Sequence, residues 1–331
     1  MKIIITGGSG FLGQRVAREL LKRSQVNDAD GNPQPIREIG LVDIAPPLNG
    51  LSDATVRYAV GDAANPKFIA ETLGDDTDGI FHLAAVVSGA AEADFDLGMR
   101  VNIDGTRGLL DACRRLRKPP RVLFASSVAV FGAPLPELVT DATTPIPHSS
   151  YGIQKLIGEL LVSEYSRKGF IDGRSVRLPT VSIRPGKPNA AASSFASGIL
   201  REPLNGIEAI CPVEPDTKLW LISPRLAVEC LLHGFDLPAG ELGRIRSLSL
   251  PGITVSVDEM VASLKRVAGP AAARRIRWEP DEGIKQIVKS WPARFDTTRA
   301  NSLGFPRDEG GLDRIIDDYV RDEGLKLQPK Y

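Results

Sequence analysis

The feature that most constrains this chain is a glycine-rich turn between a buried strand and a helix. Residues 2–6 (Lys-Ile-Ile-Ile-Thr) form a short β-branched apolar run, typical of a strand buried on both faces. Glycines follow at 7, 10 and 13, and apolar residues then recur at helical spacing. Such glycines allow a tight turn, close approach of backbone to a pyrophosphate, and packing of helix on strand. The pattern predicts a dinucleotide-binding turn formed by Gly7, Gly10, Phe11, Leu12 and Gly13.

A nucleoside-triphosphate loop is the alternative for a glycine-rich turn. That loop ends in Gly-Lys followed by Ser or Thr, because the lysine contacts the phosphates and the hydroxyl contacts Mg²⁺. Here Gly13 is followed by Gln14-Arg15. The sequence therefore favours the dinucleotide interpretation.

An acidic residue follows the second predicted strand, near residues 36–42. Asp43 ends that strand, after a polar, turn-rich stretch at 25–37 that we interpret as a surface loop. A carboxylate at this place binds the adenosine ribose hydroxyls and repels a 2′-phosphate. Asp43 therefore predicts NAD rather than NADP, with a plain turn role for Asp43 as the alternative.

Strands and helices alternate through the first half of the chain. This alternation predicts an α/β fold, a Rossmann-type doubly wound parallel sheet, over residues 1–183. At 184–194 the composition changes to small polar and turn residues, so we expect residues 184–331 to form mainly a smaller C-terminal substrate-binding lobe. The chain is expected to return to the first domain around 219–250.

Ligands bind such sheets at the carboxyl ends of the strands. We therefore expect Asp62 and Ala63 at the adenine, and Ser127 beside the reacting group. The turn after the strand predicted at 79–83 is expected to line the cofactor and then to open onto the substrate. Its residues are Leu83, Ala84, Ala85 and Ser88.

Tyr151 and Lys155 lie four residues apart on a predicted helix over about 150–168, so they share a face. A lysine cation about 4 Å from the phenol is worth up to ~4 kcal/mol at an effective dielectric near 20. We expect Lys155 to lower the pKa of Tyr151 by about 3 units, into the range of a working base. A tyrosine and a lysine at this spacing are common on solvated helices. The glycine turn and Ser127 indicate that here the pair serves as a base in a reaction that uses a dinucleotide.

Charge and cysteine content exclude other classes. Lys plus Arg equals Asp plus Glu at 41 each, which gives no general attraction to nucleic acid or to a membrane. The three cysteines and three histidines have no spacing typical of a metal site. We see no signal peptide and no apolar run long enough to span a bilayer, so a cytoplasmic location is expected.

Together these motifs resemble the extended short-chain dehydrogenase/reductase (NAD-dependent epimerase/dehydratase) family. The resemblance implies NAD as cofactor and a triad of Ser127, Tyr151 and Lys155, with Tyr151 as base and Lys155 also on the nicotinamide ribose. It implies that Asn102 supports the cofactor site and that Pro179 lies near the nicotinamide. The carrying segments are residues 6–13, Asp43, 82–85, 101–106, 126–132 and 151–155.

A closer similarity is to a branch of this family that oxidises a four-carbon sugar acid. It is carried by residues 84–89, 93–98, 177–181, 184–199 and 219–225. It implies NAD-dependent oxidation of the C2 hydroxyl, and many relatives imply a homodimer through the helices near 95–117 and 150–168. The substrate contacts that we expect are Ser88, Ser127, Tyr151, Asn189, Ser193 and Arg225. An interlobe salt bridge is the alternative for Arg225, and turn capping for Asn189.

Two other functions fit part of this pattern. A nucleotide-sugar epimerase or dehydratase would share the fold, NAD and the triad, and would use basic and aromatic residues of the second lobe such as Lys187, Arg201, Lys218 and Trp220. A non-catalytic dinucleotide sensor would share the fold without needing the triad.

Overall fold

The structure, a computed structural model, describes residues 1–187 and 191–327 of the 331-residue chain. Its centre is a sheet of seven parallel strands whose order reverses between the first strand and its neighbour, residues 77–82. The predicted doubly wound parallel sheet is confirmed. In spatial order the strands are β12 (Ser247–Ser249), β8 (Asp172–Leu178), β7 (Arg121–Ser127), β6 (Thr77–His82), β1 (Lys2–Thr6), β4 (Glu38–Asp43) and β5 (Val56–Val60).

Helices cover both faces of this sheet, and the side-chain alternation of β1 shows why. Ile3 and Ile5 point into one apolar cluster and Ile4 into another, and all three are fully buried or nearly so. A strand buried on both faces needs an uninterrupted apolar run, which residues 3–5 supply. The first cluster includes α1 (Phe11–Arg23) and α8 (Pro224–Asp236), and the second includes α2 (Pro66–Thr72), α5 (Gly105–Cys113) and α6 (Ser150–Arg167).

Residues from Ile183 onward form a second apolar core. Ile199, Leu264 and Ile316 are among its buried members, contributed by three different helices. The helices are α7 (Ser194–Leu204), α10 (Val257–Ala268) and α14 (Gly311–Asp322). The strands form a three-stranded sheet of β9 (Thr180–Val181), β11 (Lys218–Ile222) and β13 (Ile253–Ser256), and a pair of β10 (Ala209–Cys211) with β14 (Ile276–Trp278).

Three predicted elements differ from the structure. The stretch 25–37 contains a small antiparallel hairpin, β2 (Gln25–Asn27) with β3 (Pro33–Pro35). The predicted helix at 95–117 is interrupted by a π-helix at Met99–Asp104. The strand predicted near 174–183 is divided into β8 and β9.

The remaining short helices are α3 (Ser88–Ala93), α4 (Phe95–Gly98), a 3₁₀ turn (Val128–Val130), α9 (Ala239–Leu242), α11 (Pro270–Ala273), α12 (Glu282–Lys289) and α13 (Thr298–Ser302).

The chain crosses back to the first sheet after the second core begins. β12 pairs with β8, and α8 packs under the sheet. The fully buried Arg174 holds the end of α8, donating hydrogen bonds to the carbonyls of Gly234 (3.1 Å), Phe235 (3.0 Å) and Leu237 (2.6 Å). A guanidinium suits the carbonyl end of a helix, where the helix dipole is negative. The predicted domain boundary at 183/184 stays a prediction. In the part of the chain that the structure describes, no helix is long and apolar enough to cross a membrane.

Candidate active site

A cavity of about 780 Å³ lies where the central strands end and the second core begins. It is lined by the glycine turn, by the segments that follow β4, β6, β7 and β8, and by residues after β9. The sequence-predicted site residues that line it are Gly7, Gly10, Phe11, Leu12, Gly13, Asp43, Asp62, Ala63, Leu83, Ala84, Ala85, Ser88, Ser127, Tyr151, Lys155, Pro179 and Ser193. Asn102 and Arg225 are not among the lining residues, and Asn189 lies outside the described residues.

The glycine turn is closed by its own backbone. Gly7 has φ +71°, a left-handed conformation that glycine adopts without steric cost. A Cβ on Gly13 would lie 2.2 Å from the carbonyl oxygen of Gly7, so α1 packs on the turn more closely than a side chain permits. The N-cap of α1 is Gly10, which has no side chain with which to cap the helix that begins at Phe11. The N–H groups of its first turn are therefore available to a phosphate in the cavity.

Acidic side chains lie at the ends of β4 and β5. The carboxylate of Asp43 accepts hydrogen bonds from the backbone N–H groups of Ser9 (2.9 Å) and Ile44 (2.8 Å), which holds it against the glycine turn. Asp62 accepts from the N–H of Ala64 (2.9 Å) and pairs with Arg100, which also lines the cavity. This arrangement suits a ribose at Asp43 and the adjoining base at Asp62.

The three triad residues meet at one end of the cavity. Ser127 ends β7, while Tyr151 and Lys155 lie on the first turns of α6. Ser149 starts that helix, its hydroxyl accepting a hydrogen bond from the N–H of Gly152 (3.2 Å), and Glu92 accepts one from the N–H of Ser150 (2.9 Å). These contacts fix the direction of α6 and thereby the position of the phenol.

The pKa of Tyr151 is raised to about 12, because burial disfavours the phenolate. A hydrogen bond from Ser127 and the charge of Arg184 act in the opposite direction. Lys155 donates to the carbonyl of Ala125 (2.8 Å) and lies 5.6 Å from the centre of the Tyr151 ring. Of these influences on the Tyr151 pKa, the raising effect of burial is the largest. The expectation that Lys155 lowers this pKa stays a prediction.

Lys155 is itself perturbed. Burial lowers the pKa of its ammonium to about 7, and the charge of Glu159 opposes this shift. Glu159 is 3% exposed and forms a two-point ion pair with Arg177 (2.9 and 2.7 Å). It also accepts a hydrogen bond from the hydroxyl of Ser126 (2.6 Å). The buried carboxylate of Glu159, one helical turn after Lys155, thus stabilises the lysine cation. Glu159 was not selected as a site residue from the sequence.

Asn102 does not line the cavity but contacts Val86, which does. It lies in the π-helix, is 3% exposed, and its amide bonds both the N–H (2.8 Å) and the carbonyl (3.0 Å) of Val86. It also donates to Gln154 (2.7 Å), the residue before Lys155. π-Helical turns are frequent at functional sites. The amide of Asn102 therefore ties the 84–88 turn to α6, instead of lining the cavity as expected of a cofactor contact.

The residues predicted to contact the substrate do not all lie at the cavity. The hydroxyl of Ser88 accepts a hydrogen bond from the N–H of Ala192 (3.0 Å), which joins α3 to the segment before α7. Arg225 is 47% exposed and pairs with Glu229 (2.8 Å), with Asp308 and Asp318 at 3.9 Å. Because these carboxylates hold Arg225 on α8 away from the cavity lining, its predicted role as a substrate ligand is corrected.

Four further cationic or aromatic side chains from the second half of the chain line the cavity. They are Arg184, Lys187, Arg201 and Trp291. Two of them, Lys187 and Arg201, were expected from the sequence only for the nucleotide-sugar alternative, and the other two were not selected. The signal that all four share is their cationic or aromatic character. Among the described residues, no group of three or more His, Cys, Asp or Glu side chains is arranged to hold a metal ion.

Comparison with known proteins places this site among relatives. A model of the NAD dependent epimerase/dehydratase family matches residues 3–210. The chain is 54% identical over 325 residues to a D-erythronate dehydrogenase of Cupriavidus necator, which covers 98% of this chain and 99% of that protein. A D-erythronate dehydrogenase of Haemophilus influenzae is 45% identical over 320 residues, covering 97% and 99%. A solved structure described as a nucleoside-diphosphate-sugar epimerase from Agrobacterium tumefaciens superposes with a TM-score of 0.89 at 44% identity, covering 99% of this chain and 96% of that one.

Proposed function

The chain belongs to the NAD dependent epimerase/dehydratase family, and we propose that within it the protein oxidises D-erythronate to 2-dehydro-D-erythronate with NAD as acceptor. The observation that carries the proposal is the 54% identity, over 98% of this chain, to a D-erythronate dehydrogenase. The site is consistent with that chemistry, because Ser127, Tyr151 and Lys155 line one cavity with the glycine turn.

The cavity suits NAD. The uncapped first turn of α1 offers N–H groups to the pyrophosphate, through Phe11, Leu12 and Gly13. Asp43 supports the choice of NAD over NADP, because a carboxylate accepts hydrogen bonds from a 2′-hydroxyl and repels a 2′-phosphate. Its anchoring by Ser9 and Ile44 keeps the carboxylate at the cavity wall.

When bound, NAD supplies the hydride acceptor. Tyr151 takes the proton of the C2 hydroxyl while the C2–H bond breaks and the C2–O bond becomes a carbonyl. Ser127 hydrogen-bonds the substrate oxygen and Tyr151 together, which places the two oxygens within proton-transfer reach. Lys155 lies 5.6 Å from the centre of the Tyr151 ring, and the charge of Glu159 opposes the loss of its proton. We propose that its ammonium also binds the nicotinamide ribose. Fixed placement of the reacting groups supplies a large part of the rate enhancement.

A nucleotide-sugar epimerase is the second candidate, because a solved structure of that description is 44% identical. The two activities differ in whether NADH accumulates. An epimerase returns the hydride to its sugar and releases no net NADH, whereas the dehydrogenase releases NADH. Absorbance of NADH is followed with D-erythronate, other aldonates and UDP-sugars, each with NAD. We expect NADH from D-erythronate; isomerised UDP-sugar without NADH would establish the epimerase instead.

We also propose a homodimer that uses α6. Ile153 and Leu160 lie seven residues apart on one side of this helix and are 47% and 62% exposed. Light scattering of the wild type and of an Ile153→Glu, Leu160→Glu double variant tests this assignment. A dimeric double variant would exclude α6 from the interface. The expected cytoplasmic location stays a prediction.

A further inference from the structure

We infer that Arg184 binds the substrate carboxylate and so selects sugar acids over neutral sugars. This inference rests on the proposed function and names the residue that gives that site its substrate class. The carboxylate of a 2-hydroxy acid is bonded to the carbon that carries the reacting hydroxyl. Its binding residue must therefore lie beside the catalytic base, on the same cavity.

Within the part of the chain that the structure describes, Arg184 lines the cavity without a counter-ion. Arg100 is paired with Asp62, and Arg201 with Glu202 (2.5 Å). Lys155 is supported by the charge of the buried Glu159. Among residues 1–187 and 191–327, no carboxylate lies within ion-pair distance of the side chain of Arg184; the same holds for Lys187, which is exposed to solvent. A half-buried guanidinium that has no ion-pair partner among the described residues favours an anionic ligand.

The backbone of Arg184 is held while its side chain is left for a ligand. Its N–H donates to the hydroxyl of Ser197 (3.0 Å), and its carbonyl accepts from the guanidinium of Arg201 (2.8 Å). Both partners lie on α7, which belongs to the second core. The second core thereby presents the guanidinium to a reaction centre built by the first sheet.

Arg184 is also close enough to Tyr151 for the two groups to affect each other. The charge of Arg184 opposes the burial that raises the pKa of Tyr151. Burial and Arg201 lower the pKa of Arg184, and Tyr151 opposes that shift. Arg184 and Tyr151 line the same cavity, so the guanidinium and the base are available to one small ligand whose carboxylate is one bond from C2.

The test compares Arg184→Gln and Arg184→Lys with D-erythronate and with its uncharged amide, D-erythronamide. Arg225→Gln is the matched control, because it removes an exposed cation outside the cavity. For Arg184→Gln we expect kcat/KM for D-erythronate to fall by about 10- to 100-fold, mainly through KM, the loss typical of a hydrogen bond to a charged group. The preference for acid over amide should nearly disappear. Arg184→Lys should retain an intermediate preference, because lysine keeps the charge without the planar fork.

An equal loss with acid and amide in Arg184→Gln would overturn the inference, since it would indicate a structural role. A wild type that makes no NADH from D-erythronate would refute the proposed function separately. Calorimetric titration of tartronate, a small 2-hydroxy acid, into the NADH-loaded protein judges Arg184 in either case. We expect at least about tenfold weaker binding in Arg184→Gln than in Arg225→Gln; equal affinities would contradict the assignment.

Discussion

Replacing Gly13 by alanine tests whether the glycine turn is required by geometry. Gly13 lies in the first turn of α1, and its added Cβ would come 2.2 Å from the carbonyl oxygen of Gly7 and 2.8 Å from the Cα of Gly8. Both neighbours are backbone atoms, so no flexible side chain can move aside. Helix propensity alone gives the opposite expectation, since alanine is favoured over glycine in a helix by about 1 kcal/mol.

The cost of this clash in folding free energy equals or exceeds the gain in helix propensity. An ordinary contact at this position needs roughly 3.4 Å or more, so the start of α1 must recede by about 1 Å from the turn. Overpacking of this kind costs about 1–3 kcal/mol, which exceeds the gain in propensity at the upper end and cancels it at the lower end. The displaced helix start also loses charge-assisted hydrogen bonds to the pyrophosphate, each worth about 1.5–3 kcal/mol. We therefore expect NAD affinity to fall by about 10- to 100-fold, with Tm unchanged or lowered by a few degrees.

Calorimetric NAD titration and thermal unfolding measure the two effects. Gly108→Ala in α5 is the matched control, because the nearest atom to its added Cβ is 4.0 Å away. This control should bind NAD as the wild type does and be equally or more stable. If Gly13→Ala also bound NAD with wild-type affinity, the close packing of α1 on the turn would not matter for the site, and the reasoning would be refuted.

Three further changes test the reaction chemistry. Tyr151→Phe should retain NAD binding and lose about 10²-fold to 10⁴-fold in kcat; a near-wild-type rate would exclude Tyr151 as base. Asp43→Ala should reduce the ratio of kcat/KM with NAD to that with NADP, whereas an unchanged ratio would indicate a turn residue. Glu159→Gln removes the charge that keeps the pKa of Lys155 from falling below about 7, so Lys155 loses its proton at lower pH. The alkaline limb of the pH profile of kcat/KM should then move to lower pH. Ser126→Ala, which removes only a hydrogen bond to Glu159, should leave that limb in place.

Much of the cofactor side of the site was predictable from the sequence, because it depends on neighbours along the chain. A strand, a turn at Gly7 and a helix that packs at Gly13 are consecutive, and their backbone conformations follow from residue type. Tyr151 and Lys155 are four residues apart, so the pitch of α6 alone brings them to one face. The alternation of strands and helices likewise implied the parallel sheet.

The electrostatics of the base required the tertiary structure. Burial of Tyr151 and Lys155 depends on the whole surround of the cavity, and it shifts both pKa values in directions that the four-residue spacing does not reveal. Glu159 lies one turn from Lys155 in the sequence, but only the packing of α6 on β7 and β8 shows that it is buried against Ser126 and Arg177.

The sequence by itself determined the glycine turn, the acidic strand end and the Tyr151–Lys155 pair, because each is set by short-range geometry within one element or between successive ones. Only the tertiary structure decided which arginine faces the reaction centre. Arg184 and Arg225 both follow strands in the second half of the chain, yet carboxylates hold Arg225 on the outside of α8, whereas contacts with α7 hold Arg184 at the cavity that Tyr151 also lines. That choice depends on how the second core packs against the first sheet, which no spacing of residues along the chain encodes.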